Sequence, residues 1–368
     1  MRVLFVNTSF AIREYLMRFL RAMAWRVLWF VRHPHSNGGR PRSILVVELT
    51  RMGDVLFAAG LARDLRHSFP GTRIGLAVSP AYASLVKELA PGIVPVPLRA
   101  GVRQYCRALL PGRGGAWDLG VTASPALRNL AGVLTAGCRS VDGYLRPPRR
   151  WWAYRPEAVA GLLKSGPRTV PSEHLSRRAG RILAATCARF RRRPRHRNPA
   201  TGTGTRIRSV VMHAGGVWRF RRWPAERWVT LARVLRSRGL KVTLILGPEN
   251  AGEAGAYGAL WGSGAVIRSA PPLSELVRLL RSADLFIGPD SGVMHLAEMM
   301  GRKVVALMGP SLPVQSGPLG RKSLVVRGKV PCSPCSQCLC VRPFAPCMDR
   351  IGVGEVVDSV CHPKSRGA

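Results

Sequence analysis

Short apolar runs that alternate with amphipathic stretches constrain the fold of this chain more than any other feature. The predicted strands cover residues 44–49, 74–78, 93–96, 119–122, 210–212, 242–246, 285–287 and 304–308. The predicted helices cover residues 55–69, 80–89, 173–187, 225–238 and 273–281. Continuous apolar strands that alternate with helices are typical of a parallel sheet covered on both faces. The sequence therefore predicts an α/β fold with doubly wound parallel sheets.

A basic stretch rich in Pro, Gly and Thr divides this alternation into two series. We interpret residues 191–206 as a linker between a first domain at 44–190 and a second domain at 207–330. A basic amphipathic extension (1–43) precedes them, and a Cys-rich tail with a C-terminal helix (331–368) follows. The 368 residues suffice for two hydrophobic cores. Ligands of such sheets bind beyond the carboxyl ends of the strands, so the loops there are the candidate sites.

The charge of the chain is extreme, with 57 Lys and Arg against 19 Asp and Glu and a net charge of +38. Such an excess indicates an anionic partner, namely a membrane surface, a phosphorylated glycolipid or a nucleic acid. An arginine-biased proteome would account for part of it. No motif of a nucleic-acid-binding module is present, and aromatic residues do not alternate with the arginine runs as a base-stacking surface requires. We therefore expect a membrane or glycolipid partner and no nucleic acid.

The N-terminal stretch 10–33 is apolar but interrupted by Arg18, Arg21 and Arg26. The interruptions leave it too short to span a bilayer, and no small-residue cleavage site of a signal peptide follows. Arginines combined with aromatic residues such as Trp25 favour an amphipathic helix that lies on an anionic membrane. A helix packed on the domain, or translation upstream of the true start codon, would explain the same pattern.

The first candidate loop, Thr50-Arg51-Met52-Gly53-Asp54, follows the first predicted strand. Gly53 permits a close approach of the backbone, and Asp54 stands at the opening turn of the next predicted helix. Its carboxylate could act in catalysis, but an aspartate at such a position is also a common helix cap. The loop alone leaves both interpretations open.

The second candidate loop runs from His213 to Pro224 and contains the glycine pair Gly215-Gly216. Paired glycines after a strand leave backbone amides free, and the arginines that follow resemble the cationic support of a phosphate site. A solvated basic loop, in keeping with the rest of the chain, is the alternative.

The third candidate loop, residues 288–297, lies between an apolar run and a helix predicted at 296–300. It contains an acid, a hydroxyl, a glycine and a histidine: Asp290, Ser291, Gly292 and His295. A turn from strand to helix directs backbone N–H groups and the positive helix end at a ligand in front of it, which suits a diphosphate. Alternatively, Asp290 or Ser291 caps the helix and His295 is a buried core histidine.

Together these loops resemble glycosyltransferase family 9, the heptosyltransferase family. The resemblance rests on Met52-Gly53-Asp54-Val55, Arg221-Arg222-Trp223-Pro224, residues 289–297, residues 305–311 and the Cys-rich tail, in the family's order. It implies a GT-B architecture, with two Rossmann-like doubly wound domains facing a central cleft. It also implies the inverting transfer of a sugar, typically heptose from ADP-heptose, to a lipopolysaccharide core.

A transfer of this kind needs one carboxylate that accepts the proton of the attacking hydroxyl. The resemblance gives this role to Asp54. We assign the remaining residues of the first loop to the acceptor side: Thr50, Arg51, Met52 and Gly53. No separate metal is required by this arrangement.

The leaving diphosphate gains negative charge, which cationic and N–H groups stabilise. The predicted donor-binding residues are Gly215, Gly216, Arg221, Glu249, Asp290, Ser291, Gly292 and His295. Among them, Arg221 stands where the family has a lysine that contacts phosphate; the exchange keeps the charge and changes the hydrogen-bond geometry. Glu249 matches a family position near the nucleotide ribose.

The nine cysteines are concentrated towards the C-terminus. Four of them, Cys332, Cys335, Cys340 and Cys347, have a spacing that could bind zinc or another metal through thiolates, and Cys338 lies among them. A reduced structural cluster or disulfides are the competing interpretations.

The sequence thus predicts a glycosyltransferase that acts in the cytoplasm, peripheral on the inner face of the cytoplasmic membrane. Its expected partners are a nucleotide-sugar donor and an anionic acceptor of the lipopolysaccharide type. A relative that uses another nucleotide sugar or acceptor is the first alternative. A non-catalytic glycolipid-binding protein is the second, although such a protein has no need of an intact Asp54, Asp290 and His295.

Overall fold

A computed structural model describes residues 40–99, 117–124, 128–129, 132–133, 136–143, 175–190, 206–261, 266–320, 323–335, 340 and 346–361. The predicted membrane helix within 10–33 and nearly all of the predicted linker at 191–206 lie outside these residues. The chain divides into two compact units. The first comprises residues 1–50, 57–169 and 179–196, and the second comprises residues 51–56, 170–178 and 197–368.

The first unit is built on a five-stranded parallel sheet with the order β3-β2-β1-β4-β5. Its strands are β1 (Ser43–Val47), β2 (Arg73–Val78), β3 (Val94–Pro97), β4 (Trp117–Thr122) and β5 (Cys138–Gly143). Its helices are α1 (Met52–Ser68), α2 (Ala83–Leu89) and α3 (Leu175–Arg189), and a 3-10 turn at Pro80–Tyr82 precedes α2. The first turn of α1 and the start of α3 belong by their contacts to the second unit.

The central strand β1 lies in the core of the first unit, with the side chains from Ile44 to Val47 fully buried. Trp117 of β4 packs across β2, where a Cβ on Gly75 would lie 2.5 Å from the indole ring. Only a glycine leaves room for the ring at this position. A continuous apolar strand in mid-sheet and close packing above it are the arrangement that the apolar runs predict.

The second unit has a six-stranded parallel sheet with the order β11-β10-β9-β6-β7-β8. Its strands are β6 (Ser209–His213), β7 (Lys241–Leu246), β8 (Val266–Ser269), β9 (Leu285–Pro289), β10 (Lys303–Met308) and β11 (Leu324–Arg327). The helices are α4 (Ala225–Ser237), α5 (Ala254–Trp261), α6 (Leu273–Ser282), α7 (Gly292–Met299), α8 (Pro313–Ser316), α9 (Pro346–Asp349) and α10 (Val353–Cys361). The strand order reverses between β6 and β9, which is the Rossmann arrangement and its ligand-binding switch point. The predicted α/β class is therefore confirmed.

The C-terminal segment completes the core of the second unit. The indole N–H of Trp223 donates to the carbonyl of Ile351 at 3.0 Å, and the guanidinium of Arg227 donates to the same oxygen at 2.6 Å. Ile351 is fully buried, and α10 contributes Val356 and Val360 to the same hydrophobic core.

Two helices begin earlier than the sequence predicts. Helix α1 starts at Met52 rather than at residue 55, so Gly53 and Asp54 lie in its first turn and not in a loop. Helix α7 starts at Gly292 rather than at residue 296, so His295 lies within the helix. Glycine is a poor helix former, and the apolar pattern therefore places both starts too late. No helix in the described part of the chain is long and apolar enough to cross a membrane.

Candidate active site at the switch point of the second sheet

The loops after β6 and β9 flank the point where the strand order of the second sheet reverses. His213 ends β6 and Asp290 follows β9, and both side chains are buried, with 3% and 5% of their surface exposed. A 3-10 turn at Arg219–Arg221 lies in the loop between β6 and α4. The second and third candidate loops of the sequence are therefore brought together at one edge of the sheet.

An ion pair between Arg221 and Asp290 joins these two loops. The Nη1 of Arg221 lies 2.9 Å from Asp290 Oδ2 and donates to the Asp290 carbonyl at 3.0 Å. Ser316 donates to the same Oδ2 at 2.8 Å, and Nε2 of His295 lies 4.0 Å from Oδ1. Burial lowers the pKa of Arg221, and the charge of Asp290 opposes this shift. Asp290 therefore orients a guanidinium rather than presenting a free carboxylate to an anionic ligand.

Ser291 is the N-cap of α7. Its backbone is extended, and its hydroxyl accepts a hydrogen bond from the amide of Met294 at 3.4 Å. The same hydroxyl lies 3.4 Å from Nδ1 of His213. The capping role that the sequence left open for Ser291 is thus present, and it fixes the position of the helix end that carries partial positive charge.

His213 is a further residue of this site, although it is not among the donor-binding residues that the sequence predicts. Burial lowers its pKa to about 4, although the charge of Glu249 acts in the opposite direction. The ring is therefore neutral at physiological pH, with one nitrogen able to donate and the other able to accept. Its place at the carboxyl end of β6 is the only signal in the sequence, because a single histidine forms no recognisable pattern.

The glycine pair of the second loop packs against Glu249. A Cβ on Gly215 would lie 2.6 Å from the Gly247 amide and 2.9 Å from Glu249 Oε1, so no larger residue fits. The amide of Gly216 donates to the Glu249 carboxylate in this structure. The sequence predicts that both amides are free, whereas in the structure a phosphate would reach the Gly216 amide only by displacing Glu249.

Arg222 also stabilises the loop that contains Gly215 and Gly216. Its guanidinium donates to the Gly216 carbonyl at 3.2 Å and to the Glu249 carbonyl at 3.3 Å, and it forms an ion pair with Glu253 at 3.2 Å. Arg222 therefore ties the end of β6 to the 3-10 turn at Pro248–Glu253 that follows β7.

The first turn of α1, which belongs to the second unit, lies directly against the first turn of α7. A Cβ on Gly292 would lie 2.8 Å from Met52 Cε and 3.2 Å from the Gly53 amide nitrogen. A Cβ on Gly53 would lie 3.8 Å from Gly292 Cα and from His295 Cδ2. The half-buried Asp54 follows Gly53 in this turn. The structure thus brings the Gly53-Asp54 motif to the predicted diphosphate turn.

The other two residues of the first loop are placed differently. The guanidinium of Arg51 lies over the ring of Trp218, 5.2 Å from its centroid. Thr50, in the first unit, donates through its amide to Oε1 of Glu48 at 3.1 Å and also contacts that oxygen through its hydroxyl. Glu48 is fully buried, so it fixes the backbone just before α1.

The cysteines of the C-terminal tail differ in their surroundings. Cys332 and Cys335 are exposed, whereas Cys347 is buried against Gly309, and burial raises its pKa to about 11. Within the described ranges, no three His, Cys, Asp or Glu side chains are placed to hold a metal ion. Cys338 lies outside those ranges, and the metal site stays a prediction.

Comparison with known families gives a match over a large part of the second unit. The model of glycosyltransferase family 9 (heptosyltransferase) matches residues 185–344. Lipopolysaccharide heptosyltransferase 1 of Pseudomonas aeruginosa is 28% identical over 131 residues, which are 36% of this chain and 37% of that protein. The chain therefore aligns with little more than a third of the length of this relative.

Two solved structures extend the likeness to most of the chain. The Escherichia coli ADP-heptose lipopolysaccharide heptosyltransferase II is similar with a TM-score of 0.63 and 18% identity, over 86% of this chain and 97% of that one. An E. coli heptosyltransferase solved with ADP gives a TM-score of 0.62 and 15% identity, over 86% and 98%. At such identities the likeness shows the fold, and the predicted GT-B architecture of two parallel α/β sheets is confirmed. The motifs and the match of residues 185–344 agree with the predicted resemblance to glycosyltransferase family 9, the heptosyltransferase family, and the fold is that of solved heptosyltransferases.

Proposed function

We propose that the protein transfers a heptose from a nucleotide-diphospho-sugar of the ADP-heptose type to an acceptor of the lipopolysaccharide type, with inversion at the anomeric carbon. One observation carries the proposal. The first turns of α1 and α7 meet at Gly53 and Gly292, with Asp54 beside this contact. A carboxylate and an anion-binding helix end therefore occupy one site, as a transfer from a diphosphate requires.

In this proposal Asp54 accepts the proton of the acceptor hydroxyl as that oxygen attacks the anomeric carbon. The new bond joins the acceptor oxygen to the anomeric carbon, and the bond to the diphosphate oxygen breaks on the opposite face. A single displacement of this kind inverts the configuration. It needs one general base and no covalent intermediate.

The departing diphosphate is stabilised by Arg221 and by the N-terminus of α7. Arg221 is held by Asp290 through an ion pair at 2.9 Å, so its guanidinium needs little reorganisation when charge develops on the leaving group. Ser291 keeps the helix end in place by capping it. His295, with 7% of its surface exposed, packs beside Asp290.

Glu249 fits the ribose of the nucleotide. It is exposed in the loop after β7, the strand next to β6 on the outer side of the switch point. A carboxylate at the end of this strand accepts the ribose hydroxyls in other Rossmann sheets. The structure solved with ADP belongs to a protein of the same fold, which supports a nucleoside diphosphate as the donor's leaving group.

The test measures the transfer of heptose by the purified protein, with ADP-heptose as the donor and a heptose-free lipopolysaccharide core as the acceptor. We expect product of inverted configuration, determined by NMR. Asp54→Asn should lower turnover by about a hundredfold or more, since general-base catalysis contributes on that scale. ADP affinity should be nearly unchanged.

Asp64→Asn, further along the same helix, is the matched control and should keep wild-type turnover. Near-normal turnover of Asp54→Asn would show that another group is the base. Product of retained configuration would contradict the single displacement. Transfer from a different nucleotide sugar, with none from ADP-heptose, would favour the alternative donor.

A further inference from the structure

Arg51 lies among the residues proposed to bind the donor, although its loop was assigned to the acceptor side. Residues 51–56 belong to the second unit, together with the loops after β6 and β9. The Arg51 guanidinium lies 5.2 Å from the centroid of the Trp218 ring. Trp218 immediately precedes the 3-10 turn that carries Arg221.

Arg51 and Arg221 are close enough to interact electrostatically. The positive charge of Arg51 lowers the pKa of Arg221, in addition to the larger effect of burial. Asp290 Oδ2 is already engaged by Arg221 and Ser316. Arg51 is exposed, and among the residues that the structure describes it forms no ion pair. The guanidinium groups of Arg51 and Arg221 therefore lie in one region, where the buried carboxylate of Asp290 pairs with Arg221.

Two helix ends add to the positive charge of this region. Arg51 directly precedes α1, whose first turn meets the first turn of α7 at Gly53 and Gly292. Each helix N-terminus carries a partial positive charge. Like charges placed together are repulsive unless an anion lies between them. The acid of this turn, Asp54, is proposed to act on the acceptor hydroxyl, so it is not the anion in question.

We propose that Arg51 is a donor-binding residue that contacts the diphosphate together with Arg221, with Trp218 as its support. This inference rests on the proposed function, in which the donor is a nucleoside-diphospho-sugar. A guanidinium that lies over an aromatic ring can still direct N–H groups at phosphate oxygens. A second cation lets the site neutralise both phosphates of the leaving group.

The experiment measures binding of ADP, AMP and inorganic pyrophosphate by titration calorimetry with the full-length protein. Arg51→Met should weaken ADP and pyrophosphate binding by about ten- to a hundredfold, the range expected for a charge-assisted hydrogen bond. AMP, with one phosphate, should lose less, so the ratio of ADP to AMP affinity should fall. Arg51→Lys should recover part of the affinity because it keeps the charge and loses the planar fork.

Arg73→Met is the matched control. Arg73 is an exposed arginine whose guanidinium lies 4.5 Å from the centroid of the Trp117 ring, at the start of β2 in the first unit. This variant removes the same charge and the same type of cation–π contact, and it should leave ADP binding unchanged. An equal loss in both variants would show a general charge effect and overturn the proposal.

The remaining outcomes separate this inference from the proposed function. Unchanged ADP and pyrophosphate affinity in Arg51→Met, with a raised KM for the acceptor, would contradict the inference and show that Arg51 binds the acceptor. If the wild type binds pyrophosphate and not ADP, the nucleotide of the proposed donor is wrong. The effect of Arg51→Met on pyrophosphate affinity then decides the inference about Arg51. If the wild type binds none of the three, both proposals are wrong.

Discussion

At the scale of single residues, the predicted donor site is a set of side chains that contact one another. Motifs in the sequence predict four of them, and the structure brings these together: Arg221, Asp290, Ser291 and His295. The residues that contact these four could not be predicted from motifs. His213 and Ser316 become neighbours of the motif residues only through the pairing of β6 with β9 and the position of α8, which no local pattern encodes.

The protonation of His213 gives a prediction at this scale. Its folded pKa of about 4 lies below its usual 6.5, so the unfolded chain takes up this proton first as the pH falls. The associated stability is fully present above pH 6.5 and is lost between about 6.5 and 4, by on the order of 3 kcal/mol in total. His213→Asn removes this contribution, so its free energy of unfolding should fall less steeply over that window.

Urea denaturation at a series of pH values would measure the difference in slope. His67→Asn is the control, because His67 is exposed in the last turn of α1, and it should follow the wild-type curve. Parallel curves for the wild type and His213→Asn would show that the histidine titrates normally in the folded protein.

At the scale of elements, the contact between the first turns of α1 and α7 depends on two glycines with different surroundings. The side of Gly292 is filled by Met52 and the Gly53 backbone, whereas a Cβ on Gly53 would make ordinary contacts at 3.8 Å. Both glycines lie at helix starts that the sequence placed too late. The same property, the absence of a side chain, weakens the helical pattern and permits the close approach.

This asymmetry predicts different results for the same substitution at the two glycines. Gly292→Ala should cost about 1–2 kcal/mol of unfolding free energy, because the added methyl group overpacks the contact with Met52 and the Gly53 amide. It should also weaken ADP binding several-fold by moving the N-terminus of α7. Gly53→Ala should leave stability near the wild-type value, since alanine favours a helix and the space is sufficient.

Thermal unfolding and calorimetry with ADP measure both effects. Equal behaviour of the two variants would contradict the close packing at Gly292.

At the scale of the whole molecule, the alternation of apolar runs and helices predicted two parallel sheets, and both are present. The strands it missed, β5, β8 and β11, are all at the edge of a sheet. An edge strand is covered on fewer sides and can be short and polar, as CRSVDG, VIRS and LVVR are here. The strand orders could not be predicted either, because they arise from pairing between segments far apart in the sequence.

The net charge of +38 leads to a prediction for the intact chain. The protein should sediment with vesicles that contain anionic lipid and not with neutral vesicles, and raising the salt concentration should release it because ions screen the attraction. Removing residues 1–39 should greatly reduce sedimentation, since the predicted amphipathic helix adds apolar contact with the lipid. Equal sedimentation of the shortened chain would assign the binding to the rest of the surface.

The hydrogen bonds from Trp223 and Arg227 to Ile351 determine where a separately expressed fragment of the chain can end. The family match ends at residue 344, and a fragment cut there would lose Ile351 and the buried valines of α10. It would expose one face of α4 and leave the indole N–H of Trp223 without its acceptor. Such a fragment would aggregate for reasons unrelated to catalysis, so an independently expressed donor-binding half must extend through Cys361.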